Sequence, residues 1–67
     1  MLMYITESTV KRIMKEAGAK RISSEASRYL QKRINMMLFD VSKKAVQLSK
    51  HAKRKTVEVS DVKLACN

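Results

Sequence analysis

Proline is absent from this chain of 67 residues, and glycine and cysteine occur once each. Without proline no position is barred from a helix interior, and with Gly18 alone the chain has a single low-strain site for a left-handed turn. The lone Cys66 excludes an intrachain disulfide, and with His51 as the only imidazole a structural zinc site lacks ligands. The same poverty argues against catalysis: the six acids are scattered with no convergent pair, and no glycine-rich loop could cradle a phosphate. No enzymatic activity, metal, cofactor or small-molecule substrate is therefore expected. No apolar run approaches the roughly 18 residues of a membrane span. The apolar opening Met1-Leu2-Met3-Tyr4-Ile5 stops at Thr6-Glu7 with no basic segment before it, too short for a signal peptide. The expected location is inside the cell, where a lone thiol stays reduced.

What the chain has in excess is positive charge. Fifteen Lys and Arg stand against six acids, a formal net charge of +9 with His51 neutral. Such a balance predicts a polyanionic partner, with nucleic acid ahead of an anionic membrane surface. There is room for one domain, residues 1–67, and no second core. A chain this small buries only about 60% of its unfolded surface, so it needs a disulfide, a metal or a partner subunit. With the first two excluded, oligomerisation remains.

The longest uninterrupted pattern points the same way. From Ser23 to Ala52 apolar residues recur at Ala26, Leu30, Ile34, Met37, Val41, Ala45, Leu48 and Ala52, at intervals of four, four and three. That is a helical period, and it repeats every eleven residues, so the stripe barely drifts around a nearly straight helix. Tyr29, Met36, Met37 and Leu38 widen it near the middle. The short segments before and after cannot cover so long a row. A second chain crossing at Leu30, Ile34, Met37, Leu38, Val41 and Ala45 would.

In chain order, a first helix is expected over Thr6–Ala17, with Val10, Ile13, Met14 and Ala17 on one face, Thr6 or Ser8 as cap and Gly18 as terminator. A connection, Ala19-Lys20-Arg21-Ile22, leads to Ser23 as the cap of the long helix. After Ala52 comes the basic run Lys53-Arg54-Lys55, then Thr56 to Val59, whose β-branched alternation predicts a short extended piece. Ser60 is placed to cap a last helix from Asp61 to about Cys66, with Val62, Ala65 and Cys66 facing inward.

The basic residues cluster. Lys20 and Arg21 lie in the first loop and Lys53, Arg54 and Lys55 in the second, one at each end of the long helix. Lys20 and Arg21 read equally well as a solvated loop. If two long helices cross antiparallel, the first loop of one chain comes beside the second loop of the other, with Lys11, Arg12 and Lys15 of the first helices between. Such clusters suit the backbone of a duplex, giving affinity and position without reading sequence.

At this point the chain resembles the archaeal histones, over nearly all its length from Val10 to Ala65. The residues that carry the resemblance are Arg12-Ile13-Met14-Lys15-Glu16-Ala17-Gly18-Ala19 with Arg21-Ile22-Ser23, then Ala45 through Thr56, closing with Asp61-Val62 and Leu64-Ala65. The resemblance implies an all-α histone fold of short helix, loop, long central helix, loop and short helix, paired as a handshake dimer. It further implies double-stranded DNA as partner, with self-association into higher oligomers, in the cytoplasm or nucleoid. Arg21 would enter the minor groove, held by Thr56 of the partner chain. Arg12, Lys15, Lys20, Lys53, Lys55 and the amides around Thr56 would meet phosphates. Arg54 and Asp61 would form a clamp between the second loop and the last helix, Arg54 also lying at the DNA surface. Leu48, His51, Asp61 and Leu64 would join one dimer to the next, although His51 alone reads as a surface histidine favourable to the helix dipole. Lys53 stands where many relatives have glycine. Asn35, Met36 and Lys63 stand where relatives often carry acids that contribute to stacking turns of a fibre, so the resemblance does not extend to close stacking.

Overall fold

A computed structural model describes residues 3–67; Met1 and Leu2 of the apolar opening lie outside them. The fold is all-α. Helix α1 spans Glu7–Glu16, α2 Ser24–His51 and α3 Val59–Cys66, with no strand among the described residues. The first two helices stand where the periodicity put them, each trimmed to its caps. Thr6 caps α1, its Oγ1 accepting from Thr9 N at 3.3 Å, and Ser8 lies inside the helix. Ser23 caps α2, its Oγ accepting from Ala26 N at 3.1 Å. With 28 residues α2 is about 42 Å long.

Both helices end in the same way. Gly18 has φ 116°, and Gly18 N donates to Lys15 O while Ala19 N donates to Met14 O, both at 3.0 Å. At the end of α2 Lys53 takes the left-handed position with φ 59°, Lys53 N donating to Lys50 O and Arg54 N to Ser49 O, both at 2.9 Å. The paired bonds satisfy carbonyls that a helix end would otherwise leave open. A lysine thus holds a backbone conformation that glycine takes with least strain.

The last helix departs from expectation. Thr56–Val59 forms no strand, because Val59 already opens α3 and the described residues hold no strand to pair with; Glu58 has extended dihedrals, φ −109° and ψ 167°. Ser60 is not the cap. The carboxylate of Asp61 accepts from Glu58 N at 2.8 Å, which makes Glu58 the N-cap and draws Val59 and Ser60 into the first turn. Asp61 and Ala65 are buried, whereas Val62 and Cys66 are exposed rather than inward.

The chain divides into two compact units, Met1–Met36 and Met37–Asn67. In the first, only Val10 of the apolar face of α1 is buried; Met14 is half-buried and Ile13 and Ala17 are exposed. Its polar contacts come from a row on α2. Ser27 Oγ donates to Glu7 Oε2 at 2.7 Å, Gln31 Nε2 donates to Ile5 O at 3.1 Å, and Asn35 Oδ1 accepts from Tyr4 N and Ile5 N at 2.9 and 2.8 Å. Asn35 Nδ2 also donates to Ile5 O and Gln31 O. Asn35 is 2% exposed, so it is an internal latch on segment 3–6 and offers no surface of its own. In the second unit Ala45, Ser49, Asp61 and Ala65 are buried. Thus the row of α2 covered by its own chain is Ser27, Gln31, Asn35, Ala45 and Ser49, small or polar throughout.

The apolar stripe is left uncovered. Leu30, Ile34 and Val41 are half-buried, and Met36, Met37, Leu38 and Phe39 are 52, 55, 44 and 41% exposed. Four consecutive apolar residues point all around a helix, so the middle of α2 carries apolar surface on every side. Ala45 is the exception in the expected dimer seam: at 2% exposure it is already buried in its own chain and has no surface left for a partner. Val10, Ala45 and Ala65 are the buried hydrophobic residues among those described. A core of one valine and two alanines cannot offset the conformational entropy of ordering the chain.

Candidate nucleic-acid interface

The two loops that flank α2 differ in how firmly they are held. In the first, Lys20 and Arg21 are exposed, and no ion pair engages either among the described residues. Arg12 and Lys15, three residues apart on α1, lie on the same helix face, both exposed. Lys11 instead pairs with Glu7 at 3.4 Å. The Ser27 hydroxyl, and after it Lys11, hold the Glu7 carboxyl below its ordinary pKa.

The second loop is built around one arginine. Arg54 Nη1 and Nη2 donate to Asp61 Oδ2 and Oδ1 at 2.9 and 2.8 Å, a bidentate pair, and Nη1 also donates to Thr56 O at 2.9 Å. Glu58 Oε1 lies 3.4 Å from Nη1. Asp61 is 3% exposed. The Arg54 guanidinium, followed by the Glu58 amide, lowers its pKa to about 2, and the hydrogen-bonded Asp61 carboxylate in turn raises that of Arg54. Charge-assisted bidentate bonds of this kind fix geometry as well as adding strength. Lys53 and Lys55, on either side of the clamped arginine, are exposed with Thr56. The loop therefore presents two lysines from a backbone fixed at three points: the left-handed end of α2, the guanidinium and the cap of α3.

Of the residues expected at a DNA surface, Arg12, Lys15, Lys20 and Arg21 belong to the first unit and Lys53, Arg54, Lys55 and Thr56 to the second. Arg54 is half-buried and its guanidinium is engaged inside the chain, so its part is to hold the loop. Of the residues expected between dimers, Leu48 is half-buried and His51 and Leu64 are exposed, and with Ala65 they border one groove. Asp61 differs: it is buried with its carboxylate engaged, and it contributes little open surface there. The inward row Ser27, Gln31 and Asn35 escapes the hydrophobic pattern; its signal in the sequence is uncharged polar residues at four-residue spacing inside a long helix.

The sequence family described as histone-like transcription factor (CBF/NF-Y) and archaeal histone matches residues 3–66. The chain belongs to this family. Its histone fold is the order seen above, a short helix, a long central helix and a short helix. A probable archaeal histone 3 of Methanocaldococcus jannaschii is 48% identical over 54 residues, 81% of each chain. One of the subunits of the archaeal histone HAN1 of Thermococcus zilligii is 39% identical over 56 residues, 84% of each chain. Membership of this non-enzymatic family agrees with a sequence that holds no catalytic constellation. No helix among the described residues is long and apolar enough to cross a membrane.

Proposed function

We propose that this chain is a sequence-tolerant histone that binds and compacts double-stranded DNA, acting as a single histone-fold domain over residues 1–67. Two chains pair as a handshake dimer through the uncovered stripe of α2, with Leu30, Ile34, Met37, Leu38 and Val41 at the crossing. The observation that carries the DNA reading is the rigid second loop, where Arg54 is held by Asp61 so that Lys53 and Lys55 stand ready on a preformed backbone. In the dimer this loop lies beside the first loop of the other chain, and Arg21 enters the minor groove with Thr56 of that chain beside it. Arg12, Lys15 and Lys20 meet flanking phosphates. Base edges are hardly read, and preference follows groove width and deformability. Dimers join through the patch around Leu48, His51 and Leu64, and the assembly lies on the chromosome in the cell interior.

Nuclease digestion of random-sequence duplex mixed with purified protein tests this. Protected fragments in regular increments are expected, and protection of no defined length would refute the wrapping. A second reading is favoured by the relative that is named as one of the subunits of a histone and by the transcription factors in the family. Here the chain pairs with a different histone-fold protein inside a transcription or replication complex. The same digestion discriminates the two, since a chain that serves only for interaction protects nothing alone.

A further inference from the structure

The second unit carries a groove between the end of α2 and α3. Leu48, Leu64 and Ala65 form its apolar floor, with Leu64 62% exposed, and Lys44, Lys50 and His51 form its rim. No carboxylate lines it. The one acid of α3, Asp61, is buried under the two hydrogen bonds from Arg54 and the one from Glu58 N. Nor does the sequence nearby supply another: from Val41 to Lys55 there is no Asp or Glu. Lys63, on α3, adds one more positive charge. No ion pair engages Lys44, Lys50 or Lys63 among the described residues.

This charge arrangement bears on what can cover the groove. Two copies meeting through it form a self-complementary contact in which each residue faces its own kind or its neighbours. Lys44, Lys50 and His51 of one copy would then face those of the other across a small area, with no free acid between them. Like charges set opposite one another cost affinity and serve to reject a partner. We propose that this groove docks an apolar helix edged with carboxylates, presented by a different chain, more tightly than it docks a second copy of this one, the copies that join here on DNA doing so against the repulsion of their rims. It rests on the histone reading for the kind of assembly, and it names the chemistry of the partner that joins at this patch. Duplex DNA is also anionic, but a hydrated phosphate backbone leaves the floor of Leu48, Leu64 and Ala65 uncovered, whereas an amphipathic helix buries it.

The test uses this chain as its own designed partner. The Lys44→Glu/Lys50→Glu variant keeps the apolar floor and carries a carboxylate rim. Fluorescently labelled wild-type protein is sedimented without DNA, at low salt, with an excess of unlabelled wild type or of the variant. Association beyond the dimer should be about tenfold or more tighter with the variant, and the difference should fade as salt screens it. Equal or tighter association with wild type overturns the proposal. Adding Leu64→Asp to the variant should remove the gain; a gain that persists places the contact elsewhere and also overturns it. The DNA alternative is read with Lys44→Gln/Lys50→Gln. An unchanged salt slope of duplex binding is expected, and a slope shallower by about 0.9 for each lost phosphate contact would make the groove a DNA site instead. The slope of the wild type, measured alongside, reports on the histone reading independently of the sedimentation result.

Discussion

Lys53 closes α2 as Gly18 closes α1, and only one of the two residues suits the left-handed backbone. A side chain there costs about 1–2 kcal/mol, part of which glycine returns through the greater freedom it gives the unfolded chain. Lys53→Gly is therefore expected to stabilise the protein by about 1 kcal/mol in urea denaturation at fixed protein concentration; an unchanged midpoint would show that the loop relieves the strain by other means. The same substitution removes a positive charge from the loop, so stability and DNA affinity should move in opposite directions. Asp61 gives a second prediction at this scale. Its folded pKa, about 2, lies below the ordinary carboxylate value, so its contribution is fully present above about pH 4 and is lost as pH falls toward the folded value. Thermal melts of the wild type should lose stability over that acid window. Asp61→Asn should start lower and lack that part of the slope; a parallel acid profile would rule out Asp61 as its source.

At the scale of the elements, the central helix was legible because its spacing of four, four and three admits one secondary structure. The start of α3 was not. It depends on one contact, Asp61 carboxylate to Glu58 N, and a run of β-branched residues looks extended to any reading of local preference. The inward row of α2 was missed for a related reason. Hydrophobic periodicity follows the greasy face, while this chain covers Gln31 and Asn35 with its own lead-in segment and Ser27 with Glu7 at the start of α1. Of the site, the resemblance named Arg54 and Asp61 together and geometry joins them by two bonds, but composition could not tell a charge on the surface from one turned into the chain. Asn35 supplies the test at this scale. Asn35→Leu removes the shared acceptor of the Tyr4 and Ile5 amides, while Gln31 still donates to the Ile5 carbonyl, at a cost of about 1–3 kcal/mol for a group left open away from water. Hydrogen exchange at Tyr4 and Ile5 should then approach the unfolded rate while the middle of α2 stays protected. Loss of protection throughout would mean that segment 3–6 is needed for the whole fold.

For the molecule as a whole, the uncovered apolar middle of α2 and the charge of +9 set what it needs from others. Leu38→Glu should prevent pairing and with it folding, because a carboxylate would be forced into an apolar contact; a helical, well-folded monomer in circular dichroism and sedimentation would contradict the proposed seam. Binding to random duplex should weaken steeply with salt, by about 0.9 in log–log slope per neutralised phosphate. Arg21→Ala should reduce wrapping while leaving the dimer intact, and a loss of the fold instead would count against its proposed place in the groove. The small buried core of Val10, Ala45 and Ala65 also governs time. A chain that cannot finish a core by itself waits for an encounter, so its refolding rate should rise in proportion to concentration across a stopped-flow dilution series. A newly made molecule is then safest where others of its kind are already abundant, and slowest to mature where they are scarce.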